Sequence, residues 1–134
     1  MERKNKTQVL VVDDDKLIRE LLDMALAAHD YDVITASDGA SAKQHIQSGT
    51  IDVVLLDLMM PVMDGFRFLH WLRHDQQSRV PVIVLSAMAK PGIEDELKKL
   101  GATDVAFKPI NIPELLNRVA WLYASNGCKL GNFG

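Results

Sequence analysis

Four short apolar runs punctuate the chain: Val9–Val12, Val53–Leu56, Val82–Leu85 and the weaker Val105–Phe107. A fifth candidate, Tyr31–Ala36, carries Val33 and Ile34. Each run is too short for a helix, rich in β-branched residues, and free of apolar–polar alternation. Such runs read as strands covered on both faces, as in a parallel sheet. Between them the spacing changes to that of helices. Leu17, Ile18, Leu21, Leu22 and Ala25 mark one face, with Arg19, Glu20 and Asp23 opposite. Phe66, Leu69 and Leu72 define another helix, and Ile93, Leu97 and Leu100 a further one that Gly101 should end. Pro113–Tyr123 repeats the pattern through Leu115, Leu116, Val119 and Leu122, with proline placed where a helix can begin. Ala40–Gln47, with Ile46 as its one large apolar residue, fills the remaining gap. The order is strand–helix five times over, which predicts an α/β fold with a parallel sheet and right-handed crossovers.

Composition narrows this to one domain. The chain has 134 residues, 48% hydrophobic and 25% charged, enough for a single core. Fifteen basic against eighteen acidic side chains leave a net charge of −3, a poor basis for binding nucleic acid through bulk electrostatics. One cysteine, Cys128, excludes an internal disulfide and a multi-cysteine zinc site. No apolar stretch is long enough to span a bilayer, and residues 1–6 are too polar for a secretion signal. The expected organisation is a flexible start at 1–6, a domain at 7–123, and from 124 to 134 a glycine-containing tail that is disordered, a linker stub or a cloning remnant. A cytoplasmic location is expected.

The informative polar residues follow the strands. Asp13, Asp14 and Asp15 follow the first, Asp57 the third, Ser86 the fourth, and Lys108-Pro109 the fifth. In a doubly wound sheet these strand ends share one edge, where ligands bind. Crowded carboxylates repel one another and call for a cation, and an oxygen donor set at a solvent-facing edge suits Mg²⁺. Beside such a cation one carboxylate can attack phosphorus. A lysine and a hydroxyl would then hold the charged equatorial oxygens.

VLVVDDD at 9–15, DVVLLDLMMPVMDG at 52–65, VPVIVLSA at 80–87 and GATDVAFKP at 101–109 together resemble the receiver domain of two-component response regulators. The resemblance covers about residues 7–123. It implies a flavodoxin-like fold: five parallel strands in the order 2-1-3-4-5, with helices on both faces. It also implies that Asp57 is the phospho-acceptor, and that Asp13, Asp14, Asp57 and the backbone carbonyl of Met59 hold Mg²⁺. Ser86 and Lys108 match the residues that bind the phosphoryl group, and Pro61, Asp64 and Gly65 match the loop after the acceptor. The Lys108-Pro109 bond is often cis in this family. The partners implied are a histidine kinase or histidine phosphotransfer protein upstream and an output domain or target protein downstream, with no nucleic acid or membrane bound by this domain. Such a domain is a signalling phospho-acceptor that promotes its own phosphorylation and dephosphorylation, not an enzyme in the usual sense.

Val105 departs from the pattern. The family usually places a tyrosine or phenylalanine three residues before the lysine, as a switch coupled to the hydroxyl residue. Here the ring is Phe107, on the same strand face as Val105 but nearer the strand end. That departure favours an alternative, a receiver-like module regulated by binding without phosphorylation. A dehalogenase-type phosphatase is a second alternative. Asp13 and Asp15 have its Asp-x-Asp spacing, but the following Thr or Val and a substrate-covering cap are missing.

Several residues also have plainer readings. One of the three aspartates, Asp14 or Asp15, should cap the first helix. His70 and His74 have a metal-binding spacing but no third ligand nearby in sequence. Met59, Met60, Met63 and Met88 read first as packing, although Met59 and Met88 lie two residues past Asp57 and Ser86.

Overall fold

The strands lack alternation because helices cover both faces of the sheet. The computed structural model describes residues 6–60, 64–87 and 89–131, with side chains as far as Ala124. Its elements are β1 (Gln8–Val12), α1 (Lys16–Ala28), β2 (Asp32–Ala36), α2 (Gly39–Gln47), β3 (Val53–Asp57), α3 (Gly65–His70), β4 (Val82–Ser86), α4 (Ile93–Lys99), β5 (Asp104–Phe107) and α5 (Ile112–Gly131). All strand pairs are parallel, in the order β2-β1-β3-β4-β5. This is the expected flavodoxin-like arrangement. Strand order reverses between β1 and β3, which opens a crevice at their C-terminal ends.

Successive strand residues point to opposite faces, so the core is in two layers. Leu10, Val12, Val54, Leu56, Val82 and Val84 pack under Ile46 of α2, Phe68 and Leu69 of α3, and Leu97 of α4. Val9, Val11, Val53, Leu55, Ile83 and Leu85 pack under Leu22 and Leu26 of α1 and Leu115, Val119 and Leu122 of α5. Burying one such side chain contributes about 1.5–3 kcal/mol.

Helix starts follow local chemistry. Asp15, Asp38 and Asp64 accept hydrogen bonds from Leu17, Ser41 and Arg67 N–H, capping α1, α2 and α3. Gly101, at φ +121°, ends α4 in a left-handed turn closed by Ala102 N–H donating to the Leu97 carbonyl. Asp30, at φ +72°, ends α1 in the same way, with Tyr31 N–H on the Leu26 carbonyl.

Three elements differ from the sequence reading. In α1 the buried stripe is Leu22 and Leu26, whereas Leu17 and Leu21 are 73% and 48% exposed and Met24 is 72% exposed. The apolar residues of α1 cover a wider arc than one sheet-facing stripe can bury. The second difference is a π-helical turn, Trp71–Asp75, which follows α3, with Gln76 N–H on the Trp71 carbonyl at 2.8 Å. There Leu72 stays buried while Arg73 reaches the carbonyls of Gly101 and Ser78 at 2.9 and 3.0 Å. Third, the helix read from sequence as Pro113–Tyr123 runs on to Gly131, through most of the stretch from 124 read as a disordered tail, a linker stub or a cloning remnant. No proline interrupts 124–131, and its one interior glycine, Gly127, costs only about 1 kcal/mol against a helix already nucleated by its buried face. Residues 1–5 of the expected flexible start, and 132–134, lie outside the described residues.

Candidate functional site

Among the described residues the buried polar or charged ones are Asp13, Asp57 and Ser86. All three stand at C-terminal strand ends. Asp13 follows β1, its N–H continuing the ladder to the Ala36 carbonyl at 3.1 Å. Asp57 and Ser86 are the last residues of β3 and β4. Lys108 follows β5 and joins Pro109 through a cis peptide bond. Its N–H donates to the Ser86 carbonyl at 2.8 Å, which seats it beside β4.

The three consecutive aspartates divide. Asp15 turns outward and caps α1. Asp14 is exposed, and Asp13 is fully buried. One carboxylate oxygen from each of Asp13, Asp14 and Asp57 lies within 4.8 Å of the others. Lys108 Nζ sits 3.3 Å from Asp57 Oδ1 and 3.6 Å from Asp13 Oδ2. Met59, 66% exposed, donates its N–H to Asp57 Oδ1 at 3.3 Å.

Asp13 Oδ1 accepts the Asp15 N–H at 2.9 Å, but Asp13 Oδ2 is buried without a hydrogen-bond partner. Burial pushes the Asp13 carboxyl up to about 6, and the Asp57 and Asp14 charges push the same way. The Asp15 N–H and Lys108 pull it down and do not prevail. A buried carboxylate oxygen that accepts no hydrogen bond, set inside a group of carboxylates, is the environment that a small, hard divalent cation fits.

Gly65 keeps the mouth of the site tight. A Cβ there would lie 2.4 Å from the Asp57 carbonyl oxygen and 2.4 Å from Leu58 Cα. Only a hydrogen permits the Gly65 N–H to reach the Leu58 carbonyl at 2.7 Å. Asp64 and Gly65 therefore shape the start of α3, while Pro61 and Met63 lie outside the described residues, as does Met88.

Val105, 1% exposed, lies inside the core layer that includes Ile93 and Leu97 of α4. His70 and His74 stack at 4.3 Å between ring centroids, but among the described residues no third side chain joins them as a metal-binding group. Sequence reasoning missed Arg118, whose guanidinium bonds the Val105 carbonyl at 2.8 Å and pairs with Asp104 at 2.9 Å and Glu114 at 3.2 Å. The Glu114–Arg118 spacing of four residues was its visible signal. Leu17, Leu21 and Met24 were also missed as an outward stripe, although the breadth of apolar residues around α1 pointed to it.

Known proteins share this fold. The family model described as "Response regulator receiver domain" matches residues 9–120. A probable transcriptional regulator ycf27 of Guillardia theta is 38% identical over 119 residues, covering 89% of this chain and 46% of that protein. The probable transcriptional regulatory protein TcrX of Mycobacterium tuberculosis is 38% identical over 121 residues, covering 89% and 50%. The chain thus spans about half the length of the curated relatives it matches. Among solved structures, the Francisella response regulator 1452 receiver domain superposes with a TM-score of 0.85 at 36% identity, covering 90% of this chain and 99% of that one. The chemotaxis response regulator CheY4 of Vibrio cholerae gives 0.80 at 35% identity, covering 87% and 98%.

Proposed function

The chain belongs to the response regulator receiver domain family, and from that premise we propose that it takes a phosphoryl group from a phosphohistidine donor onto Asp57 in a Mg²⁺-dependent reaction. The observation that carries this reading is the pairing of Lys108 Nζ with Asp57 Oδ1 at 3.3 Å, beside the buried Asp13 Oδ2, which accepts no hydrogen bond. Asp13, Asp14, Asp57 and the Met59 carbonyl would hold the ion, which when bound supplies positive charge against the phosphoryl oxygens.

The chain's own residues do the rest. An Asp57 carboxylate oxygen attacks phosphorus in line with the donor nitrogen. The new O–P bond forms as the N–P bond breaks, and the electron pair stays with the departing imidazole. Lys108, held beside Asp57 by its backbone bond to Ser86, donates to one phosphoryl oxygen. The Ser86 hydroxyl, at the neighbouring strand end, donates to another. The product carries close to −2 charge at neutral pH in a site walled by the ends of β1, β3, β4 and β5. That charge biases the surface formed by α4, β5 and α5.

The domain acts in this reading as a cytoplasmic signalling acceptor. A histidine kinase or phosphotransfer protein is its donor, and an output domain or a separate target receives the signal. The transcriptional-regulator relatives, about twice as long, support an output partner. The exposed stripe of Leu17, Leu21 and Met24 on α1 lies just after the Asp13–Asp15 turn, where a donor helix would bring its phosphohistidine close to Asp57. Binding without phosphorylation is favoured by Val105 alone, and the retained carboxylate–lysine cluster weighs against it.

The test is chemical trapping. Protein incubated with a phosphorylated histidine phosphotransfer protein should form a hydroxylamine-sensitive acyl phosphate on the peptide containing Asp57. Label on a histidine or serine peptide instead would overturn the assignment.

A further inference from the structure

His70 closes α3 and His74 stands four positions on, inside the π-helical turn Trp71–Asp75. Both side chains are exposed, and their rings stack with centroids 4.3 Å apart and planes 29° apart. Among the described residues neither ring takes part in a hydrogen bond or an ion pair, so their nitrogens are open to an outside partner. The residues between them are all held. Trp71 packs on Phe68 at 5.8 Å between centroids and has Lys43 Nζ 5.0 Å above its ring. Leu72 is fully buried, and Arg73 is tied to the Gly101 and Ser78 carbonyls. Gln76 N–H then closes the turn on the Trp71 carbonyl. The two imidazoles therefore stand side by side on a fixed backbone. Turns of this kind are rare in helices and recur at functional sites.

We infer that His70 and His74 together chelate one first-row transition cation, of which Zn²⁺ is the type, at a site separate from the carboxylate cluster. The inference stands whether or not Asp57 accepts a phosphoryl group. Four residues is the spacing at which two imidazoles of one helix share a zinc ion. Two Zn–N bonds of about 2.0–2.1 Å at a tetrahedral angle span about 3.4 Å between nitrogens. The rings already lie 4.3 Å apart, and the soft terminal torsion of histidine closes the difference without moving the backbone. Imidazole donors select Zn²⁺, Ni²⁺ or Cu²⁺, whereas Mg²⁺ keeps to oxygen, so the two sites differ in the ion each prefers. Water fills the remaining coordination positions. An extended chain holds residues four apart at about 13 Å, so the chelate exists only in the folded turn and the ion stabilises that state by mass action. Arg67, one turn before His70, is exposed, and solvent screens its charge from the ion.

Titration of the full chain with Zn²⁺ in excess Mg²⁺ tests this, at about pH 7.5, above the ordinary range of an imidazole. Proton–nitrogen NMR follows the ring nitrogens of all four histidines. The His70 and His74 signals are assigned by their loss in His70→Ala and His74→Ala, which remove nothing from the core because both positions are exposed. The two signals should move together and saturate at one ion, while His29 and His45 respond only at higher concentration. Either substitution should weaken binding at the surviving histidine by at least about tenfold, no less than the loss of an outer-shell partner costs a metal site. The urea midpoint of the parent should rise with Zn²⁺, and that rise should shrink in each variant. An equal response of all four histidines, or a surviving histidine that binds as before, would overturn the chelate in favour of single-imidazole binding. Zinc uptake at the carboxylates with His70 and His74 unmoved would overturn it as well.

Discussion

Asp13 carries its carboxylate out of water with one oxygen that accepts no hydrogen bond and has Lys108 Nζ only at 3.6 Å, and the metal-free fold bears the cost. Its carboxyl titrates at about 6 against an ordinary 3.8, raised first by burial and then by Asp57 and Asp14. A raised acid holds its proton more tightly in the folded than in the unfolded state. The folded state is therefore favoured below about pH 4, and that advantage is lost as pH rises through about 6. The shift corresponds to roughly 3 kcal/mol between those limits. Asp13→Asn, which cannot ionise, should remove this dependence and make the metal-free protein more stable at pH 7 by about 1–3 kcal/mol. Urea titrations in chelator at pH 4 and pH 7, on both proteins, check it; a variant less stable than the parent at pH 7 would contradict it. Other carboxylates titrate in both proteins, so the difference between them isolates residue 13. From sequence, three aspartates after a strand announced a site and one cap. Which was buried was not legible, because that depends on how Asp13 continues the ladder to Ala36 while Asp15 turns to cap α1.

At the scale of elements, α1 serves two surfaces. Leu22 and Leu26 hold it to the sheet, and Leu17, Leu21 and Met24 face outward. Leu21→Glu and Met24→Glu remove nothing from the core and should change stability by no more than about 0.5 kcal/mol. If a donor helix docks there, each should slow transfer from a phosphohistidine donor by roughly tenfold, the effect of removing one apolar side chain from an interface. Phosphorylation by acetyl phosphate, which needs no docking surface, should be unchanged. Equal slowing with both donors would contradict a docking role and place α1 in the chemistry. Strand positions were legible because Val9–Val12, Val53–Leu56 and Val82–Leu85 are apolar on both faces, a pattern that covered strands produce. The outward half of α1 was not separable from the inward half, since spacing shows which residues share an arc but not how wide an arc the sheet covers. The π-helical turn at Trp71–Asp75 was illegible for a similar reason. It accompanies the reach of Arg73 to Gly101 and Ser78, hydrogen bonds that form only once the chain has folded back on itself.

At the scale of the whole molecule, strand order turns scattered residues into one site. Asp13, Asp57, Ser86 and Lys108 are separated by as many as 95 positions, yet parallel pairing sets their strand ends along one edge. Periodicity alone could establish alternation of strands and helices. The order 2-1-3-4-5 came from the resemblance of four motifs, and the pairing of Ser86 with Phe107 only from the register itself. The most direct measurement of the central claim is intact mass after incubation with acetyl phosphate, with and without Mg²⁺, for the parent chain and for Asp57→Asn. One added phosphoryl group, present only with both Mg²⁺ and Asp57, is the expected result. An unchanged mass where a control receiver reacts, or equal labelling of Asp57→Asn, would contradict it.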